Sequence, residues 1–214
     1  MRGQRFHLIF YLDLECLFLP QNPSPDCSEN PTLFSVDCSG KLEIAPKKTI
    51  LKKILLLSDT HGHIDETILK YVHLADEVWH AGDIGDLVVT DTIKKLKPLR
   101  CVFGNIDDDK ARMEFPLHNR FRCEGVDVWI THIGGYPGKY NQNIKAELEQ
   151  NPPKLFICGH SHILKVIFDK KNNFLHMNPG AAGISGFHQM RTMLRFVVDG
   201  DKIKDLEIIE IGKR

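Results

Sequence analysis

Seven side chains able to bind a metal stand at the ends of apolar runs. They are Asp59 and His61 in Asp-Thr-His, Asp83 in Gly-Asp, Asn105 in Gly-Asn, His132 in Thr-His, and His160 and His162 in Gly-His-Ser-His. Carboxylate, amide and imidazole donors mixed in this way suit borderline divalent cations. Two such cations side by side can bind phosphate oxygens and activate a water, a means of attacking phosphate esters. In an extended segment residues i and i+2 point the same way. Asp59 with His61, and His160 with His162, are therefore each expected to face one ion. Asp83 carries two oxygens and can bridge two cations, and Asn105 offers a neutral carbonyl oxygen. Glycines at 82, 104 and 159 let the backbone turn sharply beside a metal or phosphate.

Each piece alone has an ordinary explanation. Asp59-Thr60-His61 suits a strand-to-helix cap, Gly82-Asp83 and Gly104-Asn105 are common turn dipeptides, and a lone His132 is usually a satisfied histidine. Gly159-His160-Ser161-His162 is the strongest single metal signal, with two imidazoles beside a tight turn. The weight rests on finding all five in this order, each at a strand end.

The elements that must hold them alternate. Ile54 to Ser58 is a continuous apolar run, the mark of a strand buried on both faces. Ile64 to Leu74 has helical spacing, Glu77 to His80 is a second strand, Leu87 to Leu96 a second helix stopped by Pro98, and Leu99 to Phe103 a third strand. Strands alternating with helices predict an α/β fold with a parallel sheet, whose carboxyl ends gather ligands in one crevice. The second half is richer in strands. Arg120–Cys123 and Val126–Thr131 flank Glu124-Gly125, a helix is expected over Asn141–Gln150, and a buried strand over Lys154–Cys158. Leu164–Asp169 is expected to pair with Phe174–Met177, and Met193–Val198 with Lys202–Ile209. Two sheets packed face to face, with helices outside, is the simplest arrangement.

The chain has 214 residues and a formal net charge of zero, from 28 basic and 28 acidic side chains. That balance, with no basic aromatic stripe, gives no electrostatic case for a nucleic-acid or membrane partner. None of the six cysteines forms a C-x-x-C pair, which argues against a zinc ribbon or thioredoxin-type site. Cys101 and Cys158 lie in apolar runs, as reduced thiols of a cytoplasmic protein do. Residues 1–50 differ from 51–214: they hold five of the eleven prolines, and residues 20 to 40 lack periodicity. They are expected to be a poorly ordered extension, or sequence outside the native domain. The apolar run from Phe6 to Leu19 is broken by Asp13 and Glu15, too short and too charged to span a bilayer and without a convincing cleavage site.

The order Asp-x-His, Gly-Asp, Gly-Asn, His, Gly-His-x-His resembles the calcineurin-like metallophosphoesterase superfamily over residues 53 to 208. The short length after Gly104-Asn105, the lack of a cap insertion and the Asn178-Pro179-Gly180 turn resemble its small YfcE-type phosphodiesterases. The resemblance implies a four-layer α/β/β/α sandwich with a dinuclear site, usually manganese and often Ni, Zn or Mg. It assigns Asp59, His61 and His162 to one ion, Asn105, His132 and His160 to the other, and Asp83 to both. Asp59, Asp83, Asn105 and His132 would carry the chemistry. The expected reaction is hydrolysis of a small phosphodiester by in-line attack of a metal-bridging hydroxide.

One departure stands beside the ligands. The wider superfamily follows Gly-Asn with a His that is a candidate general acid; here the segment is Gly104-Asn105-Ile106-Asp107. Ile106 cannot donate a proton, which favours a diester with a good leaving group. Asp107 could orient His132 or a water, or simply cap the turn. His63 and His188 are candidates for the pocket rim, and Tyr136, Phe187 and Met190 for pocket wall or core. The competing expectation is a non-catalytic scaffold like the retromer subunit of the same fold. Homo-oligomerisation is left open.

Overall fold

The computed structural model describes residues 34–36, 42–44 and 51–214. Strands β1 (Phe34–Val36) and β2 (Leu42–Ile44) pair antiparallel, where no periodicity predicted a ladder. The rest of the expected N-terminal extension lies outside the described residues. The chain divides between Lys48 and Thr49.

From residue 51 the alternation is the expected one. Strands β3 (Leu51–Leu57), β4 (Glu77–His80) and β5 (Leu99–Cys101) are joined by helices α1 (Glu66–Leu74) and α2 (Leu87–Leu96). The periodicity began α1 two residues early, because Asp65 caps it by accepting from the Ile68 N–H at 2.9 Å. Both strand pairs are parallel, with Leu57 beside His80 and His80 beside Cys101. Their carboxyl ends therefore emerge at one sheet edge.

The second half comprises α3 (Asp109–Glu114), β6 (His118–Cys123), β7 (Val126–Thr131), the short hairpin β8 (Gly135–Tyr136) and β9 (Lys139–Tyr140), and α4 (Gln142–Gln150). It continues through β10 (Leu155–Ile157), β11 (Lys165–Asp169), β12 (Phe174–Asn178), β13 (Met190–Asp199) and β14 (Lys202–Lys213). The hairpin and α3 were not anticipated. One sheet runs β14-β13-β3-β4-β5, the other β11-β12-β10-β7-β6, and β7 and β10 are parallel.

Alternation along single strands sets the layers. Ile54 and Leu56 of β3 join Trp79, Phe196, Val128, Ile130 and Ile157 in the core between the sheets. Leu55 and Leu57 of the same strand pack outward against Ile68 and Val72 of α1 and Val89 and Ile93 of α2. On the far side Trp129 and Phe156 pack against Ile144 and Leu148 of α4. The result is an α/β/β/α sandwich. Among the described residues no helix is long and apolar enough to cross a membrane, and Cys101, Cys123 and Cys158 are buried free thiols.

Candidate metal centre

The turns after β3, β4, β7 and β10 meet at one edge of the sandwich. They are laced by backbone hydrogen bonds: Asp59 N–H to Gly82 O at 2.9 Å, His61 N–H to Asp83 O at 3.1 Å, and Gly159 N–H to His132 O at 3.0 Å. The expectation that Asp59/His61 and His160/His162 lie on extended backbone is corrected. Asp59, His61, Asp83, His160 and His162 all have left-handed backbone, with φ of 54°, 49°, 53°, 68° and 56°. Such angles cost a non-glycine residue about 1–2 kcal/mol, and clusters of them mark functional sites. The alternate residues still converge, because the chain coils rather than runs straight.

All seven expected side chains come together. Asp59, His61, Asp83 and His162 place one donor atom each within 4.8 Å of one another, and Asp83, His132 and His160 form a second such group. Asp83 belongs to both. Its Oδ2 lies 3.9 Å from His61 Nε2 and its Oδ1 3.1 Å from His132 Nε2. Asn105 joins the second group, its Oδ1 3.2 Å from His132 Nε2.

The hydrogen bonds around these rings test whether a cation fits. His132 Nδ1 sits 2.8 Å from Ala81 O. A carbonyl can only accept, so Nδ1 carries the hydrogen, and in the neutral ring Nε2 keeps its lone pair. That lone pair faces two oxygens, of Asp83 and Asn105, so three acceptors converge with no donor among them. In the other group His162 Nε2 lies 3.2 Å from both His61 Nε2 and Asp59 Oδ1. A set of converging acceptors is what a divalent cation requires.

With no cation between these oxygens, a proton on His132 Nε2 is favoured in its place. Burial works against charge on His132, but the Asp83 hydrogen bond and the Asp59 and Asp83 carboxylates outweigh it and raise its pKa. Burial also pushes Asp83 up, yet the His132 hydrogen bond and charge carry it below its ordinary value. His160 is lowered, by burial and then by the charge of His132.

The family model of the calcineurin-like phosphoesterase superfamily domain matches residues 53–201. The chain belongs to this superfamily. It is 26% identical over 162 residues to a probable metallophosphoesterase of Methanothermobacter thermautotrophicus, covering 73% of this chain and 91% of the relative. Among solved structures it is similar to a novel archaeal phosphodiesterase, at 20% identity and a TM-score of 0.56, covering 74% of this chain and 99% of the other. It is also similar to wild-type Vps29 from Entamoeba histolytica, solved in complex with Zn²⁺, at 13% identity and a TM-score of 0.59, covering 75% and 99%. The two solved structures establish a shared fold, and the matched family is one of phosphoester hydrolases that bind divalent metals.

In this member of the superfamily several residues outside the ligand set, some of them with roles the sequence left open, hold the ligands in place. Asp107 accepts from Gly85 N–H at 2.8 Å and Gly104 N–H at 2.7 Å, which ties the Asp83 turn to the Asn105 turn. It is a turn cap, with both oxygens committed to backbone rather than to His132. Gly104 is required by space, since a Cβ there would lie 2.1 Å from Asp83 Oδ1. Arg112, stacked on Phe103, donates to Asn105 O at 3.2 Å. Buried Asn178 donates to Gly159 O at 2.9 Å and braces the Gly-His-Ser-His turn. Fully buried His80 accepts from Gly82 N–H through Nδ1 at 3.2 Å and bonds Thr60 Oγ1 through Nε2 at 2.9 Å. His63 bonds Asp65 and so supports the α1 cap.

A cleft of about 650 Å³ adjoins His160, lined by Ile133, Tyr136, Asn141, Asn143, Ser161 and Lys165 among others. Lys165 Nζ stands 4.1 Å over the Tyr136 ring. Tyr136 is thus cleft wall, whereas Phe187 is fully exposed and Met190 is 37% exposed, so neither is core.

Proposed function

We propose that this protein is a metal-dependent phosphodiesterase acting on small phosphodiesters. The observation that carries the reading is the pair of acceptor groups joined through the two oxygens of Asp83. Asp59, His61 and His162 would hold one divalent cation, Asn105, His132 and His160 a second, and Asp83 both. Manganese is the expected metal, with Ni, Zn or Mg as alternatives. Such cations neutralise phosphate charge and lower the pKa of a water. The protein's part is orientation. The Ala81 carbonyl keeps the His132 lone pair on Nε2, and the backbone ladder fixes the ligand turns before substrate arrives.

Preference for a diester with a good leaving group is supported by Ile106, which is 46% exposed where a proton donor would stand. Forgoing general acid catalysis costs roughly 100-fold or more with a poor leaving group. Likeness to an archaeal phosphodiesterase points the same way. The cleft beside His160 would take one ester group, with Lys165 and Tyr136 as its contacts. A reducing, cytoplasmic setting is supported by the three buried thiols; burial pushes Cys158 up to about 12.

The test is hydrolysis of a bis-aryl phosphate by chelator-stripped protein, with Mn²⁺, Ni²⁺, Zn²⁺ or Mg²⁺ restored singly. Metal-dependent turnover is expected. A folded protein with no turnover under any metal would overturn the reading in favour of a scaffold on the same fold. That second reading is favoured by the exposed apolar residues Ile163, Ile167 and Phe168 at the β11 edge.

A further inference from the structure

The metal-centre reading leaves one histidine beside the site without a role. His188 lies in the segment that follows Asn178-Pro179-Gly180 and returns along the ligand turns. Its Nε2 is 3.0 Å from Gly183 O, and its Nδ1 is 3.3 Å from His162 Nδ1. The two rings meet edge to face, with centroids 5.2 Å apart.

The direction of these bonds is fixed by what each atom can do. The Gly183 carbonyl only accepts, so His188 Nε2 carries a hydrogen. A neutral His188 then has its lone pair on Nδ1, and His162 must donate its own Nδ1–H to it. The remaining nitrogen of His162, Nε2, is left as a lone pair. That atom faces Asp59 Oδ1 and His61 Nε2, each at 3.2 Å. Without His188, the hydrogen of His162 would gain more on Nε2, hydrogen-bonded to the Asp59 carboxylate, and the lone pair would turn away from the ligand group.

The relay is attached to the site it serves. Gly183 N–H donates to Asp59 O at 3.1 Å, so the carbonyl that orients His188 belongs to a residue bonded to the first ligand turn. Gly186 has φ +123°, and a Cβ there would fall 2.1 Å from His162 Nδ1. Only glycine lets the segment pass this close to the ring. Buried Arg191 anchors the segment, donating to Ala182 O at 2.8 Å and to Asp65 Oδ2 at 2.9 Å.

We infer that His188 is a positioning residue that selects the Nδ1–H tautomer of His162, and through it the affinity of the Asp59–His61–His162 group for its cation. The inference rests on the function proposed above, and its first test needs no metal. In chelator-stripped protein, long-range ¹H–¹⁵N NMR should show His162 protonated at Nδ1 in the wild type and at Nε2 in His188→Ala. Titration with Mn²⁺ alone should then show one of two binding steps weakened about 10- to 100-fold in His188→Ala, the usual effect of losing an outer partner of a metal-bound histidine, with the other step unchanged. His188→Gln offers one donor and one acceptor in place of the imidazole pair and should recover most of the affinity. An unchanged His162 tautomer in His188→Ala would overturn the inference. So would equal losses in the Ala and Gln variants, which would mean that His188 only fills space. Wild-type protein that binds no Mn²⁺ would instead overturn the function proposed above, with the tautomer result still standing.

Discussion

Protonation of His80 should destabilise the metal-free protein in mild acid. This histidine is completely buried, and its bonds leave no place for a second proton. Gly82 N–H points at Nδ1, so Nδ1 is the acceptor and Nε2–H serves Thr60 Oγ1, whose own hydrogen goes to Ile84 O at 3.0 Å. A proton on Nδ1 would set one N–H against another. Burial accordingly lowers the pKa from an ordinary 6.5 to about 4, against the pull of Asp107 and Asp59. Above pH 6.5 the ring is neutral in both folded and unfolded chains, and its contribution is fully present. As pH falls below 6.5 the unfolded chain takes up a proton that the folded chain refuses. Stability is therefore lost down to about pH 4, below which both states are protonated. At about 1.4 kcal/mol per pH unit the full effect is roughly 3 kcal/mol, of which about 2 kcal/mol has gone by pH 5. Urea unfolding of chelator-stripped wild type and His80→Gln at pH 8 and pH 5 isolates it, because other titrating groups act alike in both proteins. The wild type should lose about 2 kcal/mol more than the variant between those two pH values. Equal losses, or an NMR titration placing His80 near 6.5, would refute the reasoning.

Three further outcomes are expected. Asp83→Asn should lower metal-dependent turnover more than about 100-fold, beyond the range for an outer partner, and reduce Mn²⁺ binding at both steps; a scaffold would keep its partner binding. Lys165→Ala should raise KM for a bis-aryl phosphate about fivefold, the effect of losing ~1 kcal/mol from a partly exposed charge contact, with kcat little changed; a fall in kcat alone would remove Lys165 from the ester-binding cleft. Ile106→His should restore a proton donor and speed hydrolysis of alkyl phosphate esters by roughly 100-fold while leaving aryl esters almost unchanged; equal effects on both would show that the leaving-group argument fails.

Much of the fold was legible because its signals are local. The run Ile54–Leu57 is apolar at every position, and the structure buries alternate residues in two different layers. Helix α3 was missed because it has only six residues and buries only Ala111, so no period could show; its one cue was Asp108, whose side chain caps Ala111 N–H at 3.0 Å. The β8–β9 hairpin was missed because two-residue strands around Pro137-Gly138 have no room for alternation. It is held from outside, by His176 on Gly135 O at 3.0 Å and Tyr140 on Asp169 at 2.6 Å. Those partners lie some 30 to 40 residues away, and short-range pattern is blind to them.

The seven ligands were legible by type, but the geometry that gathers them was not. The i, i+2 argument assumed straight chain, whereas five of the seven residues are left-handed. Asp, Asn and His are also the non-glycine residues that tolerate this region best. Residue type therefore meets two requirements at once, the donor atom and the backbone turn that aims it. A β-branched or bulky replacement at Asp59, Asp83 or His160 would lose the ligand and also strain the turn, and the backbone ladder between Asp59, Gly82, His61 and Asp83 would pass that strain to neighbouring ligands. Single substitutions in these turns should consequently weaken both acceptor groups together, whereas loss of His188, outside the ladder, should weaken one.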